Sequence, residues 1–273
     1  YREIYLPRLE VNNLGQISFP LQQHQMRQLV DLAEPAPYGK GQETLVDKKI
    51  RRTWQVNNDE FTLSGKHWQK DLESMLGEVK HELGVSCDIN ADLYKLLIYD
   101  KDSFFVEHRD TEKIPGMIAT LVIVLPSNFQ GGQLLVKHKN QKTELDMSRE
   151  DPSEISFAAF YADCAHEVLP ITEGYRLTLI YNLSRKDKQV LSQPPNYHQE
   201  QQQVVHLLQQ WSKQLLEQQT PLQNSTLEKA STNSPIDELL PEKLVYLLEH
   251  AYTQESLSFA ALKNQDAAIM DTL

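Results

Sequence analysis

The run Val106-Glu107-His108-Arg109-Asp110 sets an imidazole and a carboxylate two residues apart. On an extended strand successive side chains point to opposite faces, so His108 and Asp110 share a face and can address one ion. An imidazole nitrogen and a carboxylate oxygen, joined by a second imidazole from elsewhere, make the 2-His-1-carboxylate arrangement that leaves open positions on non-haem Fe(II). With nine histidines and 38 acidic residues in the chain, one His-x-Asp is an unsurprising coincidence, and an ordinary structural pair explains it equally well.

A second stretch changes that balance. Phe160-Tyr161-Ala162-Asp163-Cys164-Ala165-His166-Glu167-Val168 is followed by Gly174-Tyr175-Arg176-Leu177-Thr178-Leu179-Ile180-Tyr181-Asn182-Leu183. Alternation in the latter puts Arg176, Thr178 and Ile180 on one face and Tyr175, Leu177, Leu179 and Tyr181 on the other. A guanidinium turned into a barrel is costly unless an anion meets it, and its planar fork suits a carboxylate. An internal salt bridge to an acidic side chain would satisfy an isolated arginine, but this one follows a candidate ligand, His166, by ten residues. Asp163, three residues before His166, is a candidate for orienting the His166 imidazole by a hydrogen bond, or a turn former. Cys164 reads as a small buried hydrophobe. His24, His67, His81, His138, His198, His206 and His250 lack spacing to any partner and read as structural or surface residues.

In this order and spacing, His-x-Asp, His166 and Arg176 resemble the Fe(II)/2-oxoglutarate oxygenases of the prolyl 4-hydroxylase type, over roughly residues 94 to 183. The resemblance also includes Tyr99 before the motif, the turn Gly131-Gly132-Gln133-Leu134, His166-Glu167-Val168 with Pro170, and the pair Arg176-Leu177-Thr178. It implies that His108, Asp110 and His166 hold Fe(II), that Arg176 pairs with the distal carboxylate of 2-oxoglutarate, and that Tyr99 and Thr178 add hydrogen bonds to the same carboxylate. It implies too a reaction in which O2 and 2-oxoglutarate give succinate, CO2 and a hydroxylated substrate, with ascorbate a candidate accessory cofactor. Related halogenases lack the carboxylate ligand, so Asp110 favours hydroxylation. The chain departs from the pattern along Ala119-Thr120-Leu121-Val122-Ile123-Val124-Leu125, where some of those enzymes carry a tyrosine that touches the cosubstrate and only Thr120 is polar here. Prolyl specificity therefore does not follow. A protein side chain is the expected substrate, a prolyl side chain being one option, with a small molecule as the other. A cupin-like metal-binding module or an inactive scaffold is the rival class.

Those residues need a β framework. From residue 93 to 183 short β-branched and aromatic runs alternate with turn signals, predicting strands near 94–99, 104–109, 117–125, 133–138, 142–147, 155–161 and 175–183. Before them come a short β-like stretch ending at Phe19-Pro20, a helix over 22–33, a strand over 51–56 and a helix over 68–83 with Gly84 as its C-cap. After Leu183 the texture becomes Gln-rich, with a helix carrying Val204, Leu208, Trp211 and Leu215, a polar linker over 219–235, and helices near 238–251 and 256–263. The ending at Leu273 reads as arbitrary, as in a piece of a longer chain. The expected fold is α+β with a mainly β core. A double-stranded β-helix, or jelly-roll, would span 94–185, with supporting strands and helices over 1–93 and an appended helical segment over 186–273.

Bulk properties narrow the field. The 273 residues, 40% hydrophobic and 24% charged, suit one large domain with an appendage. A net charge of −11 argues against nucleic acid, whose phosphates call for clustered cations. Two isolated cysteines, Cys87 and Cys164, suggest neither a disulfide framework nor a thiolate metal site and point to a reducing compartment. The charged start, Tyr1 to Glu10, is too short of apolar residues for a signal or a membrane span, so the expected location is cytoplasmic. Oligomeric state is not legible.

Overall fold

The computed structural model describes residues 4–40, 43–47, 49–85, 87–110, 112–139, 141–186, 198–219, 243–252, 257–259 and 262–273. The chain falls into two compact units, 1–190 and 191–273.

Two antiparallel sheets organise the first unit. The larger runs, in spatial order, β15 (Ser156–Tyr161), β11 (Met117–Leu125), β18 (Arg176–Arg185), β9 (Ile89–Tyr99), β7 (Trp54–Asn57) and β3 (Glu34–Pro35). The smaller runs β14 (Gln141–Leu145), β13 (Leu134–His138), β16 (Ala165–Val168), β10 (Phe104–His108) and β6 (Arg51–Arg52). A three-stranded sheet of β2 (Gly15–Ile17), β1 (Arg8–Val11) and β8 (Phe61–Ser64) accompanies them. Two short pairs complete the strands, β12 (Phe129–Gly131) with β17 (Ile171–Gly174) and β4 (Tyr38–Lys40) with β5 (Glu43–Leu45).

Burial explains why these segments are strands. The run Met117–Leu125 is almost continuously apolar and almost continuously buried, as a central strand covered on both faces must be. On its neighbour β18, Leu177, Leu179 and Leu183 are fully buried on the face opposite Arg176. Helices α1 (Gln23–Leu32) and α2 (Trp68–Glu82) both pack on β9 and lend Leu29, Trp68, Leu72, Met75 and Val79 to one hydrophobic cluster with Leu96, Ile98 and Leu121. Each such side chain contributes about 1.5–3 kcal/mol through burial. Helix α2 ends as expected, with Gly84 at φ +65° and the Val85 N–H donating to the Lys80 carbonyl at 2.8 Å.

The expected strand over 51–56 is two strands in different sheets. Arg51–Arg52 pairs with β10 and Trp54–Asn57 with β9, so the chain crosses between the sheets at the buried Thr53. The strand ending in Val168 and the pair around Gly131 and Ile171 were not anticipated, because three to four residues between turns carry too little periodicity to read.

The second unit holds α3 (His198–Gln219), the expected Gln-rich helix, and α4 (Asn264–Thr272), which was not expected. Of the linker over 219–235 only Gln219 is described, and it closes α3; the start of the helix near 238–251 and residues 256, 260 and 261 of that near 256–263 also lie outside the described residues, and the described residues 257–259 and 262–263 form no α-helix. Residues 243–252 are not helical. The physical reason is Asp266, a fully buried carboxylate that accepts the Glu249 and His250 N–H groups at 2.7 and 3.0 Å and the Tyr246 and Tyr252 hydroxyls at 3.0 and 2.8 Å. Backbone donors committed to a side chain are not available to a helix.

Candidate functional site

A cavity opens between the two sheets of the first unit, and its wall includes His108, Asp110, His166, Tyr99, Arg176 and Thr178, six residues singled out from the sequence. His108 and His166 are cross-strand partners of β10 and β16. A β-bulge between Phe105 and His108 lets both of these residues face the cavity, where their rings stack with centroids 3.5 Å apart. Asp110 lies two residues beyond the strand end at His108. Ligand atoms of His108, Asp110 and His166 all lie within 4.8 Å of one another, and the His108 and His166 ring centroids are 4.1 Å apart.

Both imidazoles are oriented by backbone. His108 Nδ1 is 2.9 Å from the Val106 carbonyl and His166 Nδ1 is 3.2 Å from the Cys164 carbonyl. Nδ1 must donate to a carbonyl, which leaves the Nε2 lone pair of each ring for a ligand. The Cys164 carbonyl thus supplies the orientation that the sequence reading offered to Asp163. Burial, then the neighbouring His166, pushes the His108 imidazole down to about 4, which keeps it neutral and able to ligate. Asp110 accepts a 2.6 Å hydrogen bond at Oδ2 from Thr120 Oγ1. Thr120 sits on β11, on the run where the sequence departs from the prolyl-hydroxylase pattern.

Across the cavity, β18 carries Arg176 and Thr178 with their side chains inward, as alternation predicted. Arg176 is 3% exposed, and among the described residues no carboxylate pairs with it. Its Nη1 donates to the Gly132 carbonyl at 2.7 Å and its guanidinium lies 4.2 Å from the Tyr99 ring centroid. Burial lowers its pKa, and the electrostatic interaction with Tyr99 offsets part of that. Arg176 Nε and Thr178 Oγ1 are buried with no hydrogen-bond partner. A buried cation beside an unpartnered hydroxyl is a receptor for an anion, since an unmet polar atom of this kind costs about 1–3 kcal/mol. Two imidazoles with a carboxylate on the other wall suit a divalent metal of the Fe(II) type.

Sequence reasoning missed Arg51, Tyr94 and Lys95, which also line the cavity. Tyr94 is the extra residue of a second bulge, where Ile180 opposes Lys95 and Tyr181 opposes Leu93, so Tyr94 and Lys95 both turn inward. Arg109 and Lys113, taken as solvated loop residues, are exposed but stand at the cavity rim.

Residues 94–184 match the family model described as the 2OG-Fe(II) oxygenase superfamily. The match covers a third of the chain, the part that holds His108, Asp110, His166 and Arg176. Similar solved structures include an oxidoreductase of the 2OG-Fe(II) oxygenase family from Burkholderia pseudomallei, at 19% identity over 61% of this chain and 82% of that one, with a TM-score of 0.37. They include a Pseudomonas putida prolyl-4-hydroxylase at 18% identity, covering 60% and 84% of the two chains with a TM-score of 0.38. A Trichoplax adhaerens prolyl hydroxylase, in complex with a hypoxia inducible factor peptide fragment, matches at 20% identity over 58% and 75%, also at 0.38. No curated protein matches the sequence. Among the described residues no helix is long and apolar enough to cross a membrane, and Cys87 and Cys164 are both free and buried.

Proposed function

We propose that the chain is an Fe(II)- and 2-oxoglutarate-dependent dioxygenase that hydroxylates a side chain of another protein. The observation that carries this reading is Arg176, a buried guanidinium with no carboxylate partner among the described residues, in the same cavity as His108, Asp110 and His166. His108 and His166 would ligate the metal through Nε2 and Asp110 through its carboxylate. Fe(II) and 2-oxoglutarate, when bound, supply the oxidising power by activating O2 as the 2-oxoacid is decarboxylated to succinate and CO2. The protein's part is orientation and charge. The Val106 and Cys164 carbonyls fix the imidazoles, Thr120 holds the Asp110 carboxylate, and Arg176 with Thr178 and Tyr99 would receive the distal carboxylate of the cosubstrate.

We read the strands of the two sheets within 94–185 as a double-stranded β-helix, with the strands and helices of 1–93, β3, β6 and β7 among them, supporting it and 186–273 as an appendage. Ascorbate as a reductant and a cytoplasmic location belong to the same proposal. An inactive scaffold has no observation in its favour, whereas the unpartnered Arg176 and Thr178 support cosubstrate binding.

The test is anaerobic binding of Fe(II) and 2-oxoglutarate by the purified chain, followed by succinate release on exposure to O2. One Fe(II) per chain and uncoupled turnover are expected, with both lost in His166→Ala. Full metal binding and full turnover in that variant would overturn the assignment.

A further inference from the structure

The cavity and the chain differ in charge. The chain carries −11, yet the cavity is lined by five cations, Arg51, Lys95, Arg109, Lys113 and Arg176, and by one acid, Asp110. On the dioxygenase reading, a divalent metal, a dianionic cosubstrate, Asp110 and Arg176 cancel one another. Four cations are then left facing the space where the molecule to be oxidised must sit.

Arg51 is the best placed of the four. Its guanidinium lies 4.3 Å from the centroid of the Phe105 ring, which is itself stacked on His108, so it stands one ring away from a metal-ligand candidate. Its Nη1 donates to the Pro37 carbonyl at 2.8 Å, which holds the fork in place. Its Nε is buried without a hydrogen-bond partner, and among the described residues no carboxylate forms an ion pair with it. Lys95 is close enough for Arg51 to disfavour its charge, and its Nζ is held by Gln55 Oε1 at 2.5 Å. Arg51 and Arg176 stand on different sheets and against different rings, Arg51 over Phe105 and Arg176 over Tyr99. They are therefore two separate anion receptors, and one cosubstrate carboxylate needs only one.

Resting on the dioxygenase reading, we propose that Arg51, with Lys95 beside it, binds a carboxylate of the molecule to be hydroxylated, so that the oxygen acceptor is an acidic molecule and not a neutral prolyl side chain. A guanidinium fork held with an unmet donor gains about 1.5–3 kcal/mol from a charge-assisted hydrogen bond, about tenfold or more in affinity over a neutral amide of the same shape.

The experiment uses the full chain loaded anaerobically with Mn(II) and saturating 2-oxoglutarate, so that Arg176 is engaged, and reads ligand binding by saturation-transfer NMR. Three probes are compared. N-acetyl-glutamate methylamide carries only a side-chain carboxylate, N-acetyl-glutamine methylamide is its neutral isostere, and N-acetyl-alanine carries only an α-carboxylate. We expect a carboxylate probe to bind about tenfold tighter than the glutamine probe. The glutamate probe winning points to an acidic protein side chain, and N-acetyl-alanine winning to a small acid or a chain end. Arg51→Leu should abolish the preference and Arg51→Lys should weaken it, while both keep the wild-type affinity for 2-oxoglutarate. Equal binding of the glutamine probe, carboxylate binding that survives Arg51→Leu, or a loss of 2-oxoglutarate affinity in both Arg51 variants would overturn the proposal. Repeating the titration without metal or cosubstrate separates the two readings. Failure to load Mn(II) and 2-oxoglutarate counts against the dioxygenase, and failure of Arg51-dependent carboxylate binding in either form counts against this inference.

Discussion

Arg176 Nη1 donates to the carbonyl oxygen of Gly132 at 2.7 Å, tying the candidate anion receptor on β18 to a Gly-Gly turn forty-four residues earlier. Gly132 has φ +69°, and a Cβ placed there would come within 2.3 Å of Ile171 Cδ1 and 3.3 Å of Arg176 Nη1. Gly132→Ala must both adopt a left-handed backbone and displace its neighbours, a cost of about 1–3 kcal/mol. The expected outcome is a lower denaturation midpoint together with a raised KM for 2-oxoglutarate, and unchanged Fe(II) affinity. Wild-type stability in the variant would show that the turn is not tight.

Arg176→Met should separate stability from function. The guanidinium is buried with no carboxylate partner among the described residues, so an apolar side chain of similar volume removes an uncompensated charge and should raise the melting temperature of the ligand-free protein. The same change should raise the 2-oxoglutarate KM about 100-fold, the equivalent of one or two charge-assisted hydrogen bonds. Thermal melts with and without 2-oxoglutarate check both halves, and a variant that melts lower in the absence of ligand contradicts the first.

Thr120→Val keeps shape and removes the 2.6 Å hydrogen bond to Asp110 Oδ2. Partners of this kind are worth about 10–100-fold in metal affinity. Competition with a fluorescent chelator should show weaker Fe(II) binding by about that factor. An unchanged Fe(II) affinity would mean that Thr120 does not steady the carboxylate.

Stability should respond to pH through Lys95. Burial, followed by the charges of Arg51 and Lys113, pushes its ammonium from 10.5 down to about 8. Between those values the unfolded chain holds a proton that the folded chain has released, so this residue makes stability rise as pH increases from about 8 toward 10.5. Below pH 8 the folded state bears the whole penalty of the buried charge. Urea titrations across this window should show wild type gaining on Lys95→Met as pH rises. Parallel pH profiles would place the titration elsewhere.

Much of this site was legible because its residues obey simple periods. Alternation along β18 put Arg176 and Thr178 on one face, and the spacing of His108 and Asp110 put them on another, and both pairs line the cavity. Arg51, Tyr94 and Lys95 were not legible for the opposite reason. Tyr94 and Lys95 face inward through a bulge that breaks the period of two, and Arg51 does so because a single apparent strand is shared between two sheets. Short strands such as β16 and β17 draw their identity from cross-strand partners, which local sequence does not encode. In the second unit the periodicity that predicted a helix over 238–251 was overruled at residues 243–252 by hydrogen bonds to the distant Asp266.

Asp266 therefore gives the last test. Its carboxylate is fully buried and accepts two backbone N–H groups and two tyrosine hydroxyls, and the arrangement raises the Tyr246 phenol, chiefly by burial and by its bond to Asp266. Asp266→Asn turns one acceptor oxygen into a donor facing other donors. Losing charge-assisted bonds and creating an unsatisfied buried donor should cost about 2–4 kcal/mol within residues 243–273. Hydrogen exchange at the Glu249 and His250 amides should accelerate by the corresponding factor. Uncoupled 2-oxoglutarate turnover, a property of the first unit on the proposed reading, should stay at the wild-type rate. Acceleration at these amides together with loss of turnover would instead make the second unit a working part of the oxygenase site.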